Sequence, residues 1–443
     1  MTIGSYASDY NQGQILKGLV EGEIPINLAA NALGTGSVAR LLAEKLRERV
    51  SVDDFGAIPD GVTDSGPAIA KATKYLLSEY GGGILEFGRG HYRWSSAFTA
   101  PVVAAPLVIP SNVIWEGAGR NATILERLDT TNSRGLVMGT YGPANGQSPR
   151  LETKYSLQDA ADGDDHVTMQ TAGDGNTSGL VAGDLVSIEG ATTAIQTGFY
   201  LPNMITRVAA RDGDTIYLDD QIDDGGGIGT YILNVDVRPA IRKLNTGLVG
   251  SNNTDLYDGT LWPAFVATDC GIRRMTIKQN QSIGWSLPNL SCMDAFIEDC
   301  NLYCNRFSGN PVAHFRVRNC NIFFARLAYE FAYLSHDIEL DNVRFYRVAD
   351  DAQNATPTLW LNTGEGAKRI NLNRIFFSEW SRIANTPGYA VNVESNSRMR
   401  NSRIRGKAAA VMIKRSVVET SKLVAANHTF VAELYAEIGR AHV

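Results

Sequence analysis

The chain has 443 residues, enough to bury a large core and to form more than one unit. With 41 basic and 47 acidic residues its formal charge is −6, which excludes nucleic acid as the main partner, because phosphate binding needs a basic face. No apolar run approaches the roughly 18 residues of a membrane span, and 43 glycines point to a turn-rich β architecture.

Residues 1–50 form an N-terminal segment. Met1 to Gly13 has neither a basic start nor an apolar core, so no secretory signal is expected. From Ser37 onward Val38, Leu41, Leu42, Leu46 and Val50 recur at helical spacing, which predicts one amphipathic helix capping the body that follows. Residues 51–126 then read as a compact opening module. Asp60-Gly61 makes a tight turn, and Asp64 caps a helix with Pro67 in its first turn. Ala68, Ile69, Ala72, Tyr75 and Leu76 give that helix an apolar stripe, Gly81-Gly82-Gly83 ends it, and strands follow at Ile84–Phe87 and on both sides of Gly117. Turn and cap duties account for Asp53, Asp54, Asp60 and Asp64 without a metal or a catalytic role.

These residues carry a resemblance. Asp54-Phe-Gly-Ala-x-x-Asp60-Gly-x-Thr-Asp64, the Gly-Gly-Gly strand and Gly117-x-Gly119-x-x-Ala-Thr-x-Leu125 resemble the opening module of the pectate-lyase-like superfamily, which bacteriophage tailspikes and polysaccharide depolymerases carry. The resemblance implies a right-handed parallel β-helix, activity on polysaccharide, a homotrimer and a place on a virion tail or outside the cell. It does not fix the reaction.

Residues 127–265 depart from this pattern. Gly183–Ile188, Ile205–Val208 and Asp212–Leu218 read as short antiparallel strands of an inserted β-domain. Its aspartates at 162, 164, 165, 219, 220, 223 and 224 lack EF-hand spacing and read as solvated turns; no cofactor is expected, and calcium is the ion they would take.

Over 266–420 the pattern apolar-x-x-apolar-x-apolar recurs. It runs through Ile272/Met275/Ile277, Ile297/Cys300/Leu302, Val317/Cys320/Ile322, Leu340/Val343/Phe345, Leu372/Ile375/Phe377 and Met399/Ser402/Ile404, in steps of 20 to 32 residues. Irregular steps around a fixed bend predict an all-β, three-sheet solenoid whose strands stay in register while its loops vary. Arg274, Asp299, Asn319, Asn342, Arg374 and Asn401 occupy the bend, where left-handed backbone suits Asn, and Asn319 is expected to stack on Asn342. The same stacking puts Cys300 over Cys320 as buried thiols. A third strand per turn is predicted at 283–287, 328–333, 358–361, 390–393 and 410–413, with Glu330, Trp360, Asn392, Glu394, Met412 and Lys414 facing out by alternation.

That outward sheet is the candidate site. Trp360 is suited to stacking on a sugar ring, with Tyr333, Arg347, Asn392 and Lys414 as further substrate contacts. Glycoside hydrolysis needs two carboxyl groups roughly 5–9 Å apart, and Asp350, Asp351, Glu330 and Glu394 are the candidates. The pair Asp350-Asp351 is similar to the paired aspartates of polygalacturonases, but no Gly-His-Gly follows it. A lyase instead needs a base beside a uronic carboxylate and a cation to neutralise that group. His336, next to Asp337, is the base candidate for that chemistry. A non-catalytic adhesin is the third reading. Residues 421–443 form a C-terminal tail, and Glu437–Val443 matches what a sequencing adapter encodes in frame, so the natural chain is expected to run on past Ala436.

Overall fold

The computed structural model describes residues 49–95, 107–128, 135–139, 150–158, 163–173, 178–189, 204–222, 240–246, 265–279, 286–331, 335–347 and 368–378. Shorter described stretches lie at 29–30, 40–41, 160, 175, 361–362, 389–393, 398–406, 409–413, 417–419 and 421–425. The N-terminal 50 residues form one compact unit and residues 51–443 another. In the first unit Ala29–Ala30 pairs antiparallel with Arg40–Leu41. The helix expected over 38–50 is therefore not what its described residues adopt, since Arg40–Leu41 and Arg49–Ser51 are both extended. Five apolar residues at helical spacing are weak evidence when strand pairing can satisfy the same backbone groups.

The second unit is the right-handed parallel β-helix that the resemblance implies, built as the solenoid that the repeats predict. Among the described residues, successive turns after the helix contribute strands to three sheets, and the pairings along the solenoid are parallel. One buried column of the first sheet shows the register: Leu85, Trp115, Ile272, Ile297, Val317, Leu340, Leu372 and Met399 lie one above another. All eight are fully buried. The second sheet stacks Tyr92, Leu125, Ile277, Leu302, Ile322 and Phe345 in the same way. Burying each such side chain contributes about 2 kcal/mol, and these columns are the core.

The turn between the two sheets is the predicted bend. Arg274, Asp299, Asn319, Asn342, Arg374 and Asn401 all have φ between 51° and 61°. Left-handed backbone is what lets the apolar residues on both sides point inward across so short a turn. Asn342 Nδ2 donates to Asn319 Oδ1 at 2.8 Å, the ladder contact expected from the sequence. Asn321 donates to Asn301 at 2.9 Å, and Asn401 to Asn373 at 3.1 Å. Cys300 and Cys320 are buried neighbours, and Cys320 Sγ also donates to the Ile297 carbonyl. Burial pushes the thiols of Cys270, Cys292, Cys304 and Cys320 upward, so they stay protonated packing groups.

The bottom of the solenoid is closed by the helix Gly66–Tyr80. Its buried stripe is Ile69, Ala72, Thr73 and Leu76; Tyr75 turns aside to meet Phe55, their rings 5.2 Å apart and tilted by 49°. Asp64 Oδ1 accepts the Gly66 N–H, and Gly81, at φ +70°, ends the helix with its N–H on the Leu77 carbonyl. Asp60 accepts from Val62, Thr63 and the Thr63 hydroxyl, as its turn role requires.

The inserted domain starts later than expected at 127. Leu136–Met138 is a solenoid strand, paired with Leu107–Ile109 below and with residues 289–290 above. Its strand is only three residues long, too short to show alternation. Beyond it lies a six-stranded antiparallel sheet. Its order is Arg150–Ser156, Ala240–Leu244, Leu185–Glu189, Met204–Asp212, Thr215–Leu218 and His166–Thr168. Leu185, Ile205 and Leu244 from this sheet pack with Val266, Met293 and Ala313 of the solenoid, so the two share a buried seam.

Candidate functional site

The third sheet carries the positions read as substrate-facing. Asn301–Arg318 and Asn321–Phe331 are continuous strands that run from the second sheet around into the third. Gly309 permits the close approach of neighbouring side chains: a Cβ there would lie 2.4 Å from Val312 Cγ2 and 2.7 Å from Leu290 Cβ. In the third sheet Ser308, Glu330, Asn362, Asn392 and Met412 occupy one column, each in register with the next. Glu330 and Asn392 are thus brought together, two turns apart, as stacking requires. Arg347 closes a strand of the second sheet, in register with Phe324. Tyr333, Asp350, Asp351, Trp360, Glu394 and Lys414 lie outside the described residues.

On the second sheet, Tyr303, Phe323 and Tyr346 alternate with the buried Leu302, Ile322 and Phe345 and form an outward ladder. The rings of Tyr303 and Phe323 are 4.3 Å apart and within 7° of parallel; those of Phe323 and Tyr346 are 5.1 Å apart at 17°. Rings stacked along the solenoid cover each other's faces. The ladder therefore stabilises the stack, whereas a sugar needs a free ring face.

His336 stands elsewhere than an open groove. It is 1% exposed and sits in the seam with the inserted domain, its Nε2 donating to the Ile205 carbonyl at 2.7 Å. Its Nδ1 faces Asp337 Oδ2 at 2.7 Å. A base that removes a substrate proton needs an accessible lone pair, so the expected role for His336 is corrected to one in the seam.

Around His336 the structure assembles a charged cluster that sequence reading missed. Asp269, Asp294, His314, Asp337 and Arg369 form a second stacked column of left-handed residues, with φ between 47° and 54°. From the inserted domain come Arg207 and Asp220. His314 sits between two carboxylates, Nε2 at 2.8 Å from Asp220 Oδ1 and Nδ1 at 3.0 Å from Asp294 Oδ1. Asp220 Oδ2 accepts the Thr206 hydroxyl at 2.7 Å. Arg207 donates to Asp294 and Asp269, and Arg369 donates to Asp337.

The electrostatics follow from these contacts. The carboxylates of Asp220 and Asp294 push His314 up to about 10. Burial alone would raise Asp220, but bonds from His314 and Thr206 outweigh it and hold the carboxyl below its ordinary value. His314 does the same for Asp294, helped by Arg207. Burial also opposes ionisation of Asp337, yet His336 and Arg369 hold it well below the carboxylate range. The signal for this column was present as polar-apolar-x-apolar at Asp294, His314, Asp337 and Arg369. Asp220 and Arg207, from a distant part of the chain, left no local trace.

With this geometry in view, the chain is a right-handed parallel β-helix protein carrying an antiparallel β-insert. No protein-family model matches it. A 94-residue stretch is 38% identical to mannuronan C5-epimerase AlgE3 of Azotobacter vinelandii, covering 21% of this chain and 5% of that protein. The chain thus spans about a twentieth of the length of the curated relative it matches. Among solved structures, the tailspike protein gp49 of Pseudomonas phage LKA1 aligns over 83% of this chain and 59% of its own, at 12% identity and a TM-score of 0.46. The A-module of the Azotobacter vinelandii mannuronan C-5 epimerase AlgE4 aligns over 83% of this chain and 76% of its own, at 12% identity and a TM-score of 0.33.

Proposed function

We propose that this chain is the polysaccharide-cleaving body of a phage tailspike-like protein, acting on a bacterial surface or other acidic polysaccharide by hydrolysis. The observation that carries the reading is the third-sheet column through Glu330, Asn362 and Asn392. A parallel solenoid supplies one equivalent position per turn along a rigid straight face, which suits an extended polymer. Glu330, Asp350, Asp351 and Glu394 are the candidates for the two carboxyl groups. One protonates the leaving glycosidic oxygen, and the other activates water or attacks the anomeric carbon. Trp360, Tyr333, Asn392, Arg347 and Lys414 position the sugars. The homotrimer and the virion-tail location belong to the same proposal and rest on the sequence resemblance.

A second reading has its own support in the 38% identity to a mannuronan C5-epimerase. Inverting C5 of a uronic acid starts with removal of the proton beside the carboxylate, the step that also opens β-elimination. Under this reading the substrate is a uronic-acid polymer, and the chain is a lyase.

The test is a panel of capsular, lipopolysaccharide and plant polysaccharides, scored together for reducing ends, unsaturated products and C5 inversion. New reducing ends without unsaturation support hydrolysis; both together support the lyase. Binding with no covalent change on any polymer would refute an enzyme and leave a glycan-binding adhesin.

A further inference from the structure

The seam cluster has a capability apart from polysaccharide chemistry. Asp220, His314, His336 and Asp337 each offer a ligand-type atom, and these atoms all lie within 4.8 Å of one another. The donor set is two imidazoles and two carboxylates, gathered from two parts of the fold. Asp220 comes from the inserted domain; His314, His336 and Asp337 come from successive solenoid turns.

The surroundings of these four residues matter as much as their spacing. Histidines that bind metals have their other ring nitrogen held by a carboxylate or a backbone carbonyl, which fixes the tautomer and aims the ring. Both arrangements occur here. The Asp294 carboxylate accepts from His314 Nδ1, so Nε2 is the nitrogen turned toward Asp220. The Ile205 carbonyl accepts from His336 Nε2, so its ligand atom is Nδ1, which lies 2.7 Å from Asp337 Oδ2 and 3.2 Å from Arg369 Nη2. The carboxylates are held as well, Asp220 by the Thr206 hydroxyl and Asp337 by Arg369. The site is half-open: the side chains of His314 and Asp337 are 29% and 35% exposed, which gives an ion a way in, while those of His336 and Asp220 are only 1% and 12% exposed.

The geometry points to a site for one divalent cation of the zinc class, bound by Asp220, His314 Nε2, His336 Nδ1 and Asp337, that clamps the inserted domain to the solenoid. Imidazole with carboxylate suits zinc, cobalt or nickel, whereas calcium takes oxygen donors almost exclusively. On binding, the cation replaces the protons that His314 Nε2 holds against Asp220 and His336 Nδ1 holds against Asp337, and both leave to solvent. Two carboxylates and two neutral imidazoles then balance the ion's charge.

The experiment uses the full chain, stripped with a chelator and desalted. Cobalt(II) is titrated while its visible ligand-field absorption is followed, and zinc is titrated by calorimetry with calcium as control. One zinc or cobalt per chain is expected, with a cobalt spectrum typical of four or five ligands, a raised melting temperature and no response to calcium. Asp294→Asn keeps all four ligands and removes only the carboxylate behind His314. It should weaken zinc binding about 10- to 100-fold. His314→Gln and Asp220→Asn should abolish the cobalt spectrum, with circular dichroism confirming that each variant is folded. Absence of stoichiometric zinc or cobalt binding by the wild-type chain overturns the proposal. So does equal binding by a folded His314→Gln/Asp220→Asn double variant, because the metal would then lie elsewhere. Polysaccharide activity plays no part in these readouts.

Discussion

Asn342 gives the sharpest test of why the solenoid bends where it does. Its φ is +54°, its side chain donates to Asn319 Oδ1 at 2.8 Å, and its backbone N–H donates to the Asn373 carbonyl at 3.0 Å. Replacing it with Ala keeps the backbone bond and the Cβ but removes the short polar side chain that lets Asn tolerate left-handed backbone, which exposes a cost of about 1–2 kcal/mol. The lost ladder bond adds about 0.5–1 kcal/mol, the low end, because water can rehydrate Asn319. Asn342→Ala should therefore destabilise by about 2 kcal/mol. Asn342→Gly deletes more of the side chain yet is free of the left-handed penalty. Its loss should be smaller by about 1 kcal/mol, the part that belongs to backbone geometry. Guanidinium unfolding midpoints measure the difference, and unfolding rates serve where refolding is incomplete. If the Gly variant proves as damaged as the Ala variant, the left-handed bend is not what holds the two sheets together.

Other perturbations probe the core, the charges and the face. Phe345 is fully buried in the second-sheet column, so Phe345→Ala should cost about 3–5 kcal/mol in the same unfolding experiment. Asp341 is held below its ordinary value, first by the bond from Arg374. A depressed carboxylate contributes stability that is present above its unfolded pKa and is lost as pH falls through the folded value. Wild-type should thus lose more stability than Asp341→Asn between pH 6 and pH 3, by a small margin because Arg374 is exposed and solvent screens the pair. Equal acid sensitivity would contradict that linkage. Glu330→Gln and the Asp350→Asn/Asp351→Asn double variant should lower product release about 100-fold or more while polymer binding persists. Unchanged release would remove those carboxylates from the mechanism.

The solenoid was legible because its bend is a short-range pattern. Ile297/Cys300/Leu302 and Val317/Cys320/Ile322 each show both inward flanks within six residues, and Asn319 and Asn342 are residue types that tolerate the backbone between them. The second bend column was harder to see. Asp294, His314, Asp337 and Arg369 share a left-handed φ but not a residue type, so only the short polar-apolar-x-apolar pattern repeats. Leu136–Met138 was assigned to the insert because three residues carry no periodicity. The seam cluster needed the fold itself: Asp220 meets His314 across 94 residues, and nothing in the local sequence of either announces the other. The third-sheet column was legible by alternation. The register adds what alternation does not give, pairing Glu330 with Asn362 and Asn362 with Asn392.

Hydrogen exchange, with and without a bound oligosaccharide, tests the elongated face most directly. A ligand lying along the third sheet should slow exchange in peptides covering 328–333, 358–362 and 389–394 together, while those covering 301–304 and 321–324 stay unchanged. Protection confined to the second-sheet strands, or spread evenly over the chain, would place the sugar elsewhere and contradict the assignment of that face.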